Sequence, residues 1–209
     1  YEILLKGLFS HDGIKFIDLS NNNFTDKYGN MISRIILRQS QRRDQIIWSY
    51  GLRNEFPENN EFTKGLISIN LHGNKLGDQS TEVLCSSLCS DQFIRAIDLS
   101  DNCINNDSCK KYIYMKRKNN TLLTLDLRNN QFTNFESLVQ SLIELNNLTD
   151  LKIDLIDQNQ VLIILSQIPK LIFLNGKSTK DAVTIVDIDE KEIEDISLQT
   201  DLSSYNDII

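Results

Sequence analysis

The chain has 209 residues, 40% hydrophobic and 24% charged, and a formal net charge of −7. Residues 1–175 hold 19 basic and 20 acidic side chains while residues 176–209 hold 3 and 9, so a near-neutral body carries an acidic tail. Such a chain can bury a core as one domain or one elongated array. It lacks the overall positive field of a phosphate-backbone binder, and no apolar run approaches the roughly 18 to 20 residues that span a bilayer, so neither nucleic acid nor membrane is expected as a partner.

The first regular stretch is "IKFIDLSNN" (14–22), and its spacing returns in "LISINLHGN" (66–74), "IRAIDLSDN" (94–102) and "LLTLDLRNN" (122–130). All four read L-x-x-L-x-L-x-x-N with Ile allowed for Leu, and Asn74, Asn102 and Asn130 are spaced by 28. Between the first two, "MISRIILRQSQRR" is expected to be helical. "IIWSYGLRNE" is expected to supply a degenerate coil, with Ile47, Tyr50 and Leu52 inward and Glu55 replacing the asparagine, and "FPENNEFTKG" a helix-free loop. Helices are predicted in "GDQSTEVLCSSLCSD" and "FESLVQSLIELNN" from their apolar spacing. "LTDLKIDLI" (148–156) fits a last strand, and "LIILSQIPKLIFLNGK" (162–177) a short helix followed by an L-x-x-L-N-G ending.

In each unit a short strand such as Thr124 to Arg128 turns Leu125 and Leu127 inward by its period of two, and Leu122 fills the same core. The asparagine amide is then expected to bond backbone groups of neighbouring coils that would otherwise be buried unpaired. Phe24, Leu76, Ile104 and Phe132 are expected to pack beneath it.

The pattern resembles the leucine-rich repeat, and a period of 28 leaves room for a helix on the return path, as in the ribonuclease-inhibitor-like class. The resemblance implies an α/β solenoid of about six coils, with parallel strands on a concave face and helices on a convex one. The L-N-G ending is similar to the C-terminal cap of intracellular members. The expected division is residues 1–176 for solenoid and cap and 177–209 for an acidic extension whose valines and isoleucines are expected to pack on the solenoid or on a partner.

Catalytic chemistry finds little support. Cys85, Cys89, Cys103 and Cys109 are read as reduced thiols rather than zinc ligands, and Cys85 and Cys89 as small buried apolar residues. His11 and His72 lie in different coils with no nucleophile motif nearby, and the glycines form no phosphate loop. No catalytic residue, metal site or cofactor is therefore expected, and the chain is read as a non-enzyme. Four N-x-S/T sequons, at Asn23, Asn106, Asn119 and Asn147, are what chance supplies in an asparagine-rich chain.

The strands instead offer a continuous concave stripe for binding protein. One column reads Asp18, Gly51, Asn70, Asp98, Asp126 and Lys152, the next Ser20, Arg53, His72, Ser100, Arg128 and Asp154. The candidate protein-binding residues are Asp18, Arg53, Asn70, His72, Asp98, Ser100, Asp126, Arg128 and Lys152. Two basic patches stand apart: Arg34, Arg38 and Arg42 on one helical face, and Lys116, Arg117 and Lys118 within "KKYIYMKRK".

A closer likeness spans about 85 residues. Trp48 with Leu52-Arg53, the proline loop, Gly65-Leu66, Asn74 with Gly77-Asp78, Asp91 through Leu99, Asn120 to Leu122 and Leu125-Asp126 resemble the centrosomal and basal-body leucine-rich-repeat proteins. That family is non-enzymatic and works at centrioles and cilia by holding other proteins, including a ubiquitin-ligase substrate receptor. The resemblance implies a cytoplasmic scaffold in a cilium, axoneme or basal body, with axonemal, tubulin-associated or centrosomal partners. The alternative is a regulatory subunit that directs a phosphatase or ubiquitin ligase through the concave face.

Overall fold

A computed structural model describes residues 2–11, 13–54, 64–109, 119–143, 145, 147–155 and 157–180. Six short parallel strands stack in chain order: β1 (Phe16–Asp18), β2 (Ser68–Asn70), β3 (Ala96–Asp98), β4 (Thr124–Asp126), β5 (Asp150–Lys152) and β6 (Phe173–Leu174). A seventh, β7 (Lys177–Ser178), turns back antiparallel on β6. The helices are α1 (Glu2–Ser10), α2 (Asp26–Arg53), α3 (Asp78–Ser90), α4 (Phe135–Leu142) and α5 (Gln158–Gln167), with a 3₁₀ turn at Asn106–Ser108. The fold is thus mixed α/β with a largely parallel sheet.

The repeat spacing dictates the core. Ile17, Ile69, Ile97, Leu125, Leu151 and Leu174 occupy paired positions in register and are all buried, because the second residue of each of these strands faces inward. Leu19, Leu71, Leu99, Leu127 and Ile153 form a second buried row, and Leu66, Ile94, Leu122, Leu148 and Leu171 a third. Phe24, Leu76 and Ile104, expected beneath the asparagines, have no exposure at all, whereas Phe132 is only partly buried.

The asparagines act as expected. Asn102 donates to the carbonyls of Leu71, Leu99 and Ser100 and accepts from the Leu76 amide; Asn74 and Asn130 repeat the arrangement one coil either side. The side chain therefore bridges consecutive coils where the strands end and the backbone loses its ladder partners.

Four residues beyond each asparagine lies a second polar row that the sequence reading passed over: Asp26, Asp78, Asn106 and Asn134. Asp26 at the start of α2 accepts from the amides of Gly77 (2.7 Å) and Ser80 (3.0 Å) and from the Ser80 hydroxyl (2.6 Å), which satisfies free donors at the start of α3. Asp78 accepts from the Asn105 amide, and Asn106 from the Asn134 amide. Asn134 then caps its own helix α4 through the Ser137 amide.

The degenerate coil expected at 47–55 does not exist as a strand. Helix α2 runs unbroken to Arg53, Asn54 ends it in the left-handed conformation, and β1 pairs directly with β2. Ile47 and Tyr50 are three apart, a helical as well as a repeat spacing, and no asparagine is present to bond neighbouring coils. Ile47, Trp48 and Leu52 accordingly lie exposed on the helix. The sixth parallel strand comes instead from β6, in the L-N-G segment. Glu55 and residues 56–63 of the expected loop lie outside the described residues.

Helix α1 was not anticipated, and it packs on α2 with Leu5 buried. At the other end Asn175 and Gly176, both at positive φ, turn the chain into β7, as in a two-residue Asn-Gly hairpin. The sheet thus reaches two residues past the expected boundary at 176. Of the acidic extension, 181–209 lies outside the described residues.

Candidate interaction face

The parallel register sets Asp18, Asn70, Asp98, Asp126 and Lys152 side by side in one row, as the sequence predicts. His72, Ser100 and Arg128 follow two residues on in their own coils. Arg53 does not join them, nor does Gly51: both lie in the last turn of α2, where the Arg53 guanidinium sits 5.1 Å over the Tyr50 ring.

Most of the acidic row has a local task. Asp18, Asn70, Asp98 and Asp126 each accept from the amide two residues ahead, closing an Asx turn as the strand ends. Ser20, donating from both hydroxyl and amide, holds the Asp18 carboxyl below its ordinary pKa. Ser100 is buried, and its hydroxyl donates to Asp98 Oδ1 at 2.5 Å while standing 2.9 Å from His72 Nδ1. His72 Nδ1 also lies 3.1 Å from Asp101 Oδ2.

Asp126 departs from the sequence expectation that it stands outside the core, since only 2% of it is exposed. It accepts from Arg128 Nε at 3.0 Å and Nη2 at 2.7 Å, and Lys152 Nζ lies 3.7 Å away. The hydrogen bonds from Arg128 raise the guanidinium pKa further above its usual value. At the β4–β5 end Arg128 and Lys152 thus share the buried Asp126, and Asp154 accepts from the Asn129 amide beside them.

Of the basic patches, Arg34, Arg38 and Arg42 all lie on α2, with Arg38 5.8 Å over the Phe9 ring. Lys116, Arg117 and Lys118 lie outside the described residues. Cys85, Cys89 and Cys109 are buried free thiols and Cys103 an exposed one. Among the described residues no group of three or more His, Cys, Asp or Glu side chains is placed to hold a metal ion, and no helix is long and apolar enough to cross a membrane. What the geometry offers is a fixed grid of small and charged side chains suited to contact with another surface.

Comparison with known proteins adds a relationship in sequence. The chain is similar to the centrosomal protein of 78 kDa. It is 30% identical to the human centrosomal protein of 78 kDa over 130 residues, covering 62% of this chain and 19% of that one. The mouse protein gives 29% over 130 residues, with 62% and 16% covered. The chain thus matches less than a fifth of the length of either relative. No family model matches it. Among solved structures, the actin-binding site 2 domain of leiomodin-1 superposes with a TM-score of 0.59 at 12% identity, covering 91% of this chain and 95% of that one. That likeness is one of fold, to a domain of leucine-rich-repeat type.

Proposed function

We propose that this chain is a leucine-rich-repeat solenoid of the ribonuclease-inhibitor-like class that serves as a non-enzymatic scaffold in a centrosomal or ciliary cytoskeletal assembly. The similarity to the centrosomal protein of 78 kDa over 130 residues carries this reading. The geometry supports it: six strands in one register hold their outward side chains on a rigid grid, the arrangement repeat proteins use to bind other proteins. Asp18, Asn70 and Asp98 are committed to turn hydrogen bonds, and Ser100 is buried, which suits a surface that holds rather than reacts.

Partner contact is best probed at positions without a structural task. Ser68 and Thr124 point from the middle of the sheet and are half-buried. A tagged chain with Ser68→Arg and Thr124→Arg should keep its melting temperature but lose proximity-labelled centrosomal or axonemal neighbours. A diffuse wild-type chain labelling no such neighbour overturns the assignment to this assembly; retention of the same neighbours by the double variant overturns the role of the strand face.

A further inference from the structure

Helices α1 and α2 enclose a groove of about 230 Å³ lined by Leu5, Lys6, Phe9, Met31, Arg34 and Ile35. Its floor is apolar, with Leu5 and Ile35 buried and Phe9 37% exposed at the lip. The charged groups that line it are both cationic, Lys6 and Arg34. Arg38, one turn further along α2, is held at the same lip by its stacking over Phe9. An apolar slot with a cationic rim fits an acidic segment punctuated by aliphatic side chains.

This chain carries such a segment. Residues 181–209, outside the described residues, hold nine carboxylates against one lysine, with Val183, Ile185, Ile188, Ile193, Ile196 and Leu198 distributed among them. Length permits the encounter. Twenty-nine residues at about 3.3 Å each reach roughly 95 Å, whereas five strand steps of about 4.8 Å separate β6 from β1 by about 24 Å. A tether of that kind presents the segment at an effective concentration near the millimolar range, so a modest intrinsic affinity suffices.

We propose that the α1–α2 groove is the docking site of the chain's own acidic segment, 181–209, with Ile or Val side chains seated between Leu5 and Ile35 and carboxylates facing Lys6, Arg34 and Arg38. A partner's acidic segment would then bind here only by displacing it.

The test uses the full chain with a photo-crosslinking phenylalanine analogue at Phe9. Irradiation of the monomer should join position 9 to residues 181–209, and the yield should fall about tenfold in Arg34→Glu/Arg38→Glu and in about 1 M salt, where charges are screened beyond about 3 Å. Both arginines are exposed, so the fold should be retained. A second variant, Glu190→Gln/Glu192→Gln/Glu194→Gln, makes the same test without touching the folded body. Crosslinks confined to α1 and α2, crosslinks between molecules only, or tail crosslinks indifferent to both charge changes overturn the proposal.

Discussion

Asp26 Oδ1 lies 2.6 Å from the hydroxyl of Ser80, so the first residue of one helix caps the first turn of the next. Burial works against the carboxylate's charge, but hydrogen bonds from Ser80 and Gly77 outweigh it and hold the pKa below the ordinary 3.8. Asp26→Ala removes the acceptor from three donors and should cost roughly 1.5 to 3 kcal/mol near neutral pH. A group depressed on folding contributes fully above its unfolded pKa and loses that contribution as pH falls through the folded value. The gap in urea midpoint between wild type and variant should therefore narrow below about pH 3.8. A gap that stays constant down to pH 2.5 would contradict the charge-assisted cap.

Asn102→Ala strips three carbonyls of their donor and one amide of its acceptor inside the sheet's turn row. The expected loss is about 1 to 3 kcal/mol in denaturant unfolding, because buried peptide groups are left unpaired. Asn106→Ala, at a more exposed site with one donor bond to Thr133 and one acceptor bond from the Asn134 amide, should lose clearly less. Equal losses would show that burial of the bridged peptide groups does not set its contribution.

The sequence carried this part of the fold plainly, since L-x-x-L-x-L-x-x-N names the inward strand residues and the bridging amide at once. It also held the Asp26, Asp78, Asn106 and Asn134 row, at the same spacing as the asparagines, though only the hydrogen bonds reveal what that row does. The long interval between Asn22 and Asn74 misled because Ile47, Tyr50 and Leu52 satisfy the repeat spacing while riding a helix that nothing in their order forbids. Helix α1 escaped notice because "EILLKGLFS" is apolar around much of its circumference, and Ile3 and Leu4 remain exposed. On the strand face the column register was legible; the burial of Asp126 was not, because it depends on Arg128 and Lys152 folding over it.

That burial sets Asp126 apart from Asp98 on the same row, since charge reversal there reaches the folded interior. Asp126→Lys places a third cation beside Arg128 and Lys152 at a site with almost no solvent access, and should destabilise the chain by more than about 3 kcal/mol. Lys152→Ala should stay within about 1 kcal/mol in the same thermal unfolding assay, as a partly exposed ion pair allows. If Asp126→Lys melts with the wild type, the burial of the carboxylate is wrong.

Gly29 gives a steric prediction. A Cβ there would lie 2.8 Å from Ser80 Cα, closer than real contacts allow, at the crossing of α2 and α3. Gly29→Ala should lower stability by about 1 to 3 kcal/mol, outweighing the helix propensity gained. Gly51→Ala, with open space around its Cβ, should instead be neutral or slightly stabilising, which circular dichroism melts of the pair would resolve.

The hairpin at Asn175-Gly176 gives the sheet a direction. Its last strand is two residues long, runs against the others and begins with Lys177, a poor template for another chain. At the far end β1 runs parallel to the rest and leaves its outer flank unpaired among the described strands, with Phe16 71% exposed beside it. Among the described strands, the backbone edge open to pairing with a second polypeptide is therefore that of β1, while the β7 hairpin presents a short, reversed and charged edge at the other end.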